Sequence, residues 1–147
     1  MANIRIDDHS SEYLKEVEKA IETALEGIGV HIEGEAKEEL ENSPRRVDTG
    51  LLRNSITYAL DGEAPHKSTY SADKESKYSG KKPPSGSYSG NAPKESGGDR
   101  SVMIGTNVEY AIYIHEGTSK SSPNRFLKNA VERNKEQITD YIKNALK

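Results

Sequence analysis

From residue 61 to residue 100 the chain holds 8 Ser, 6 Gly and 4 Pro but no Ile, Leu, Val, Phe or Met. A stretch of that composition buries too little apolar surface to offset the entropy of ordering it. It predicts a flexible insertion over residues 61–99, of a length usually seen in functional or disordered loops. The core must therefore come from the residues on either side. At 147 residues the chain is long enough for one domain. With 32% hydrophobic residues, a single Phe and no Trp, its core is small. Part of its stability is expected from a partner.

The flanks carry the periodic signals. From residue 11 to residue 41 the apolar positions are Leu14, Val17, Ile21, Ala24, Leu25, Ile28, Ile32, Ala36 and Leu40. Steps of three and four make one stripe of an amphipathic helix. Asp8, Ser10 or Ser11 can cap it, after a short extended lead-in over residues 2–8 in which Ile4 and Ile6 alternate. Gly27, Gly29 and Gly34 lie inside the stripe, and mark either a hinge or close packing against a neighbouring backbone. Asn42-Ser43-Pro44 ends the helix, because the residue before Pro is pushed out of the α region. Residues 55–60 alternate as a strand, with Ile56, Tyr58 and Leu60 on one face. Its natural antiparallel partner is the run 100–106. After Pro123, the residues Phe126, Leu127, Ala130, Val131, Ile138, Tyr141, Ile142, Ala145 and Leu146 form the apolar face of a last helix, interrupted by Asn134.

The densest stretch is 102–119. Val102 to Ile104 reads as a β-run and Gly105 ends it. Asn107 is placed to cap a short helix over residues 108–116. Val108, Ala111, Ile112 and His115 fall at helical spacing, and Tyr110, Tyr113 and Ile114 make the segment apolar almost all round. So apolar an element in so polar a chain is expected to be buried, against the fold or against another subunit. Gly117 stops it. Upstream, at Asp48-Thr49-Gly50, the Asp or Thr oxygen can accept the free N–H groups that open a short helix over residues 49–54, anchored by Leu51 and Leu52.

Three pieces therefore follow in order: Val47-Asp48-Thr49-Gly50-Leu51-Leu52-Arg53-Asn54-Ser55-Ile56, then Ile104-Gly105-Thr106-Asn107-Val108-Glu109-Tyr110-Ala111, then Glu116-Gly117-Thr118-Ser119. A C-terminal helix comes after them. Their order and spacing resemble the head–tail joining and tail-completion (neck) proteins of long-tailed bacteriophages, over the chain outside residues 61–99. The resemblance implies a structural virion protein made in the bacterial host cytoplasm and placed at the head–tail junction. It implies a homo-oligomeric ring of six or twelve copies, with head-adaptor and tail-terminator or tail-tube proteins as neighbours and DNA passing in the channel. It implies no cofactor and no catalysis. By motif it assigns Asp48, Thr49, Gly50, Leu51 and Arg53, then Gly105, Thr106, Tyr110 and Ala111, then Glu116, Gly117 and Thr118, to turns and inter-subunit contact. Tyr113, in the apolar segment between them, joins the interface candidates. Compact members have a shorter connection where this chain has residues 61–99.

Inside that insertion Tyr-Ser recurs at Tyr70, Tyr78 and Tyr88, interleaved with Lys67, Lys74, Lys77, Lys81 and Lys82. Three readings stand: an arm that orders on a neighbouring protein, where Tyr gives contact area at modest entropy cost; an inert loop; and a platform that stacks single-stranded nucleic acid. The last is the alternative function, although nearby acidic residues almost balance the lysines.

Charge and composition bound the rest. The chain is −3 overall, but residues 1–43 carry 4 basic and 12 acidic side chains while residues 123–147 carry 6 and 3. Terminal helices of opposite charge would pair favourably side by side. An acidic chain is a poor duplex-DNA binder. The lack of Cys excludes disulfides and thiolate chemistry. No apolar run is long enough to span a membrane, and no signal peptide is expected. His9, His31, His66 and His115 are scattered, and no zinc helix motif, Walker loop or dinucleotide fingerprint occurs. A small hydrolase built on Asp48 or His115 is the remaining enzymatic reading. The expected fold is α+β: long N- and C-terminal helices packed on a small antiparallel sheet, in a single domain over residues 1–147 with residues 61–99 inserted.

Overall fold

The computed structural model describes residues 4, 10–42, 44–94 and 100–147. The lead-in over residues 2–8 apart from Ile4, and with it the Asp8 cap, lies outside the described residues. The fold is α+β. Its elements in chain order are α1 (Ser10–Glu41), α2 (Leu51–Ser55), β1 (Thr57–Leu60), β2 (Thr69–Tyr70), β3 (Gly86–Ser87), β4 (Val102–Gly105), α3 (Ala111–Glu116), α4 (Phe126–Arg133) and α5 (Lys135–Ala145).

Helix α1 is the spine. Its 32 residues rise about 48 Å at 1.5 Å each. The stripe predicts the core face well over its second half, where Ala24, Ile28, Ile32, Ala36 and Leu40 are buried. The first half overhangs the core: Leu14 is 58% exposed and Tyr13 66%. Neither glycine of the central stretch acts as a hinge. A Cβ on Gly29 would lie 2.5 Å from the Tyr58 ring, and one on Gly27 would lie 2.8 Å from the Tyr141 ring. These positions lack a side chain so that β1 and α5 can approach the helix backbone.

Strands β1 and β4 pair antiparallel, with Thr57 opposite Gly105 and Leu60 opposite Val102. All four residues of β1 are buried. The two faces are covered differently. Tyr58 packs on α1 at Gly29, and on the other face the Thr57 hydroxyl accepts the Lys67 backbone N–H at 2.9 Å. The alternation expected over residues 55–60 is thus present, but neither face meets solvent.

Helices α4 and α5 pack along α1. Sequence periodicity predicts one helix there; the chain breaks it at Asn134. That residue leaves the helical region, at φ −119° and ψ 23°. Its buried amide donates to the Ala130 carbonyl at 2.7 Å and accepts from His31 Nε2 at 3.1 Å. The gain of two buried hydrogen bonds offsets the lost helical continuity. Charge contributes less to the pairing of the terminal helices than its asymmetry suggests. The α1–α4 contact has an ion pair between Arg133 and Glu39, at 2.5 Å. Beside it and the His31–Asn134 bond, the contact is apolar packing around Ile32, Leu40, Phe126 and Ala130, all at 0% exposure. Burying each large side chain of that set contributes about 1.5–3 kcal/mol.

Candidate functional site

The residues singled out by motif converge at the C-terminal end of α1, where α2, α3, the end of β4 and part of the insertion meet. At Asp48-Thr49-Gly50 the two polar side chains divide the work. The Thr49 hydroxyl accepts the Leu51 N–H at 3.2 Å and serves as the local cap. Asp48 turns instead to the insertion: its carboxylate accepts the Ser76 hydroxyl at 2.5 Å and the Lys77 N–H at 3.1 Å. Those two bonds, the Ser76 hydroxyl first, hold its carboxyl below the usual carboxylate range. Both oxygens are thereby engaged in anchoring a loop. The Thr49 carbonyl also accepts the Asp73 N–H at 2.7 Å, and Gly50, at φ +85°, offers its carbonyl to Asn54 at 2.8 Å. Leu51 is half-buried and Leu52 buried. Arg53 forms an ion pair with Glu41 at 3.3 Å.

At the end of β4, Gly105 faces Thr57 in the ladder. The next residue, Thr106, closes a relay. Ser55 Oγ donates to the Leu52 carbonyl at 2.6 Å and meets Thr106 Oγ1 at 2.6 Å, so the Thr106 hydroxyl donates to Ser55. Thr106 Oγ1 in turn accepts the Val108 N–H at 3.1 Å. Asn107 does not cap α3, which begins later, at Ala111 with Tyr110 before it. Its amide is taken by the insertion, accepting the Tyr70 hydroxyl at 2.5 Å and donating to the Ser87 carbonyl at 2.8 Å.

The insertion is therefore tied down over its described part, at points its composition does not advertise. Strands β2 and β3 pair Thr69 with Ser87 and Tyr70 with Gly86. The Tyr88 hydroxyl donates to the Ser55 carbonyl at 2.7 Å and accepts the Asn107 N–H at 3.2 Å. Burial raises its pKa above the ordinary phenol value. The Lys67 ammonium donates to the Asn54 carbonyl at 2.6 Å, and burial beside Lys37 lowers its pKa. Tyr70 and Tyr88 thus face the chain itself, with ring centres 5.6 Å apart. Tyr78 remains outward at 82% exposure, with the Lys77 ammonium 5.1 Å from its ring centre.

Helix α3 departs most from its expected burial. Val108 and Ala111 are buried, but Ile112 and Tyr113 are each 62% exposed and Tyr110 is 42% exposed. Only one edge of this short, apolar element meets the fold. His115 is hydrogen-bonded at both ring nitrogens. Its Nε2 accepts the Lys128 N–H at 3.3 Å, which leaves the proton on Nδ1, 2.8 Å from the Glu116 carboxylate. The ring packs edge-on to Phe126 at 5.3 Å. The hydrogen bond from His115 lowers the Glu116 pKa. Gly117 then turns the chain at φ 81°, ψ 174°, a region open essentially to glycine alone. Thr118 closes the next turn with Ser121, their backbones exchanging N–H···O bonds of 2.9 and 3.3 Å.

Asn124, which in sequence reads only as the opening of the last helix, ties this corner together. Its buried amide donates to the Glu39 and Pro44 carbonyls, both at 2.9 Å, and its N–H donates to the Ile114 carbonyl at 2.9 Å. It adds a second donor to the Glu39 carbonyl in the last turn of α1, which also accepts the Asn42 N–H at 3.2 Å, and it holds the Pro44 carbonyl just past the helix. An Asn directly after Pro123, just before a helix, was the available signal.

Between the Asp48 turn, the loop 76–84, α3 and the turn 120–122 lies a cleft of 910 Å³. Seven cationic side chains line it against one carboxylate, Asp48. Among the described residues no group of three or more His, Asp or Glu is arranged to hold a metal ion, and no helix is long and apolar enough to cross a membrane. The corner is built of turns, caps and exposed apolar surface.

The family model described as "Bacteriophage HK97-gp10, putative tail-component" matches residues 5–117. No curated protein and no solved structure matches the chain.

Proposed function

Because the chain belongs to the HK97-gp10-like family of bacteriophage tail components, we propose that it is a ring subunit at the head–tail junction, needed to complete or join the tail. Its work is structural: it contacts other virion proteins, and the finer reading makes those contacts copies of itself, a head adaptor and a tail terminator or tail tube. The observation that carries this is the exposed apolar face of α3. Ile112 and Tyr113, each 62% exposed, stand beside Tyr110 in a chain with few large apolar residues to spare. A chain short of core material that leaves these three outside has a contact surface there. The turn residues Asp48, Thr49, Gly50, Gly105, Thr106, Gly117 and Thr118 set the corner from which that surface projects. A single-strand-binding role for the insertion has less support, since Tyr70 and Tyr88, two of its three stacking platforms, point inward.

The test is the double variant Ile112→Asp/Tyr113→Asp, supplied in place of the wild-type chain during particle production. Both side chains are exposed, so the purified variant is expected to keep its far-UV circular dichroism and its Tm within about 2 °C, a surface-sized effect. Joined particles should fall at least tenfold, with heads and tails accumulating separately. Wild-type yield from the folded variant would remove α3 from the contact and take away the main support for the reading.

A further inference from the structure

Two surfaces of this chain are complementary to each other and too far apart to meet within one molecule. One is the basic cleft at the C-terminal end of α1. The ammonium-bearing side chains Lys81, Lys82 and Lys120 line it beside Tyr78, Pro84 and Tyr110. The other is the overhanging N-terminal part of α1. There Leu14 and Tyr13 are 58% and 66% exposed, Val17 is only half-buried, and Glu12, Glu16, Glu18 and Glu22 flank the stripe. Residues 7–26 carry seven acidic and two basic side chains. Arg100 offsets part of this, pairing with Glu18 at 3.4 Å and Glu22 at 3.9 Å. Glu16 lies two residues nearer the N-terminus than Glu18.

We propose that the basic cleft receives the N-terminal part of α1 from a second copy of the chain. This rests on the ring reading above and names the surfaces that join its neighbours. The two patches sit at opposite ends of a helix about 48 Å long. Contact between unlike patches at opposite ends either closes reciprocally between two antiparallel copies or repeats head-to-tail, and in the repeating arrangement it gives a ring or an open filament. One contact serves both surfaces. The apolar stripe of the overhang gains cover, and the cleft gains carboxylates. Tyr110 belongs both to the cleft and to the exposed face of α3, so the docked helix would lie alongside Ile112 and Tyr113. A nucleic acid would satisfy the cations of the cleft but would leave Leu14, Tyr13 and Val17 uncovered.

The experiment uses the full chain and two charge-reversed forms, Lys81→Glu/Lys82→Glu and Glu12→Lys/Glu16→Lys, in sedimentation velocity over a range of concentrations. The wild type is expected to self-associate. Each variant alone, with like charges facing each other, should associate about a hundredfold more weakly. An equimolar mixture should regain wild-type association, because the acidic cleft of one variant meets the basic helix of the other and each retains one native surface. A wild-type chain that stays monomeric at every concentration overturns the inference, as does a mixture no better than its parts. So does unchanged association of the cleft variant, whether or not that variant loses affinity for a single-stranded oligonucleotide. Any of these results leaves the head–tail reading standing if the wild-type chain still travels with particles. Its absence from particles would sink that reading instead.

Discussion

Replacing a glycine by alanine should have opposite effects at three places in this chain, and the backbone gives the sign of each. Gly117 sits at φ 81°, ψ 174°, where a residue with a Cβ costs about 1–3 kcal/mol. Its Cβ would also stand 2.9 Å from the Pro123 nitrogen and 3.0 Å from the Ser121 carbonyl oxygen. Both neighbours are backbone, in a turn already closed by Thr118 and Ser121, so they cannot yield as a side-chain tip would. Strain and clash together come to about 3 kcal/mol, a large share of a typical total of about 5–15. For a chain of this size that is a fall in Tm of about 10 °C. Gly29→Ala should also destabilise, by driving Cβ to 2.5 Å from the Tyr58 ring, and β1 would have to shift off α1. Gly34 is exposed within α1 and a Cβ there meets nothing within 4 Å. Alanine at that position should stabilise by about 1 kcal/mol, through helix propensity alone. Thermal melts of the three purified variants, read by circular dichroism, check this. A Gly117→Ala melt within about 2 °C of wild type would refute the assignment of Gly117 to an obligatory turn. A lowered melt for Gly34→Ala would show that α1 is covered at that point. The bulkier Gly117→Val should cost more and impair assembly as well.

The loop held by Asp48 and the corner held by Asn124 give two further expectations. Asp48→Asn removes the carboxylate that accepts from Ser76 and Lys77, so amide exchange over residues 74–82 should speed up at neutral pH while α1 stays protected. The wild-type anchor should depend on pH in the same sense. The folded carboxyl lies below its ordinary value of 3.8, so its contribution is present above that value and is lost as pH falls through the lowered one. Loop exchange, corrected for intrinsic rate, that does not change across this acid range would contradict the anchor. Asn124→Ala removes the side-chain amide that bonds the Pro44 carbonyl and, beside the Asn42 N–H, the Glu39 carbonyl; it should cost about 1–3 kcal/mol, seen as a lower midpoint in urea with an unchanged slope.

Sequence made some of this legible for physical reasons that also explain what it hid. Residues 11–41 repeat apolar side chains at steps of three and four, and a chain with that stripe has little choice but α1. The β1–β4 pairing follows from two short apolar runs on either side of a segment that cannot supply a core. Periodicity reports which residues are apolar, but not which edge of an element is covered. For that reason α3, apolar almost all round, reads as buried, while Ile112 and Tyr113 are in fact exposed. Composition reports that the insertion lacks aliphatic residues. It is silent on hydrogen bonds that close between positions far apart in the chain, as Tyr70 does with Asn107, Tyr88 with Ser55, and Ser76 with Asp48. Asn107 is a plausible cap in isolation and is recruited by the insertion instead. Asn134 shows in the pattern only as a gap in a stripe; its buried bonds to His31 and Ala130 make it the break between two helices.

As proposed above, the chain is built into the particle at the head–tail junction. Gradient separation of complete particles, free tails and free heads from producing cells, with the chain located by mass spectrometry, tests it directly. The chain is expected in complete particles at a fixed ratio to the other structural proteins, and with either free tails or free heads, which also tells on which side of the junction it sits. Complete, infectious particles that lack it, with the chain left at the top of the gradient, would contradict the account.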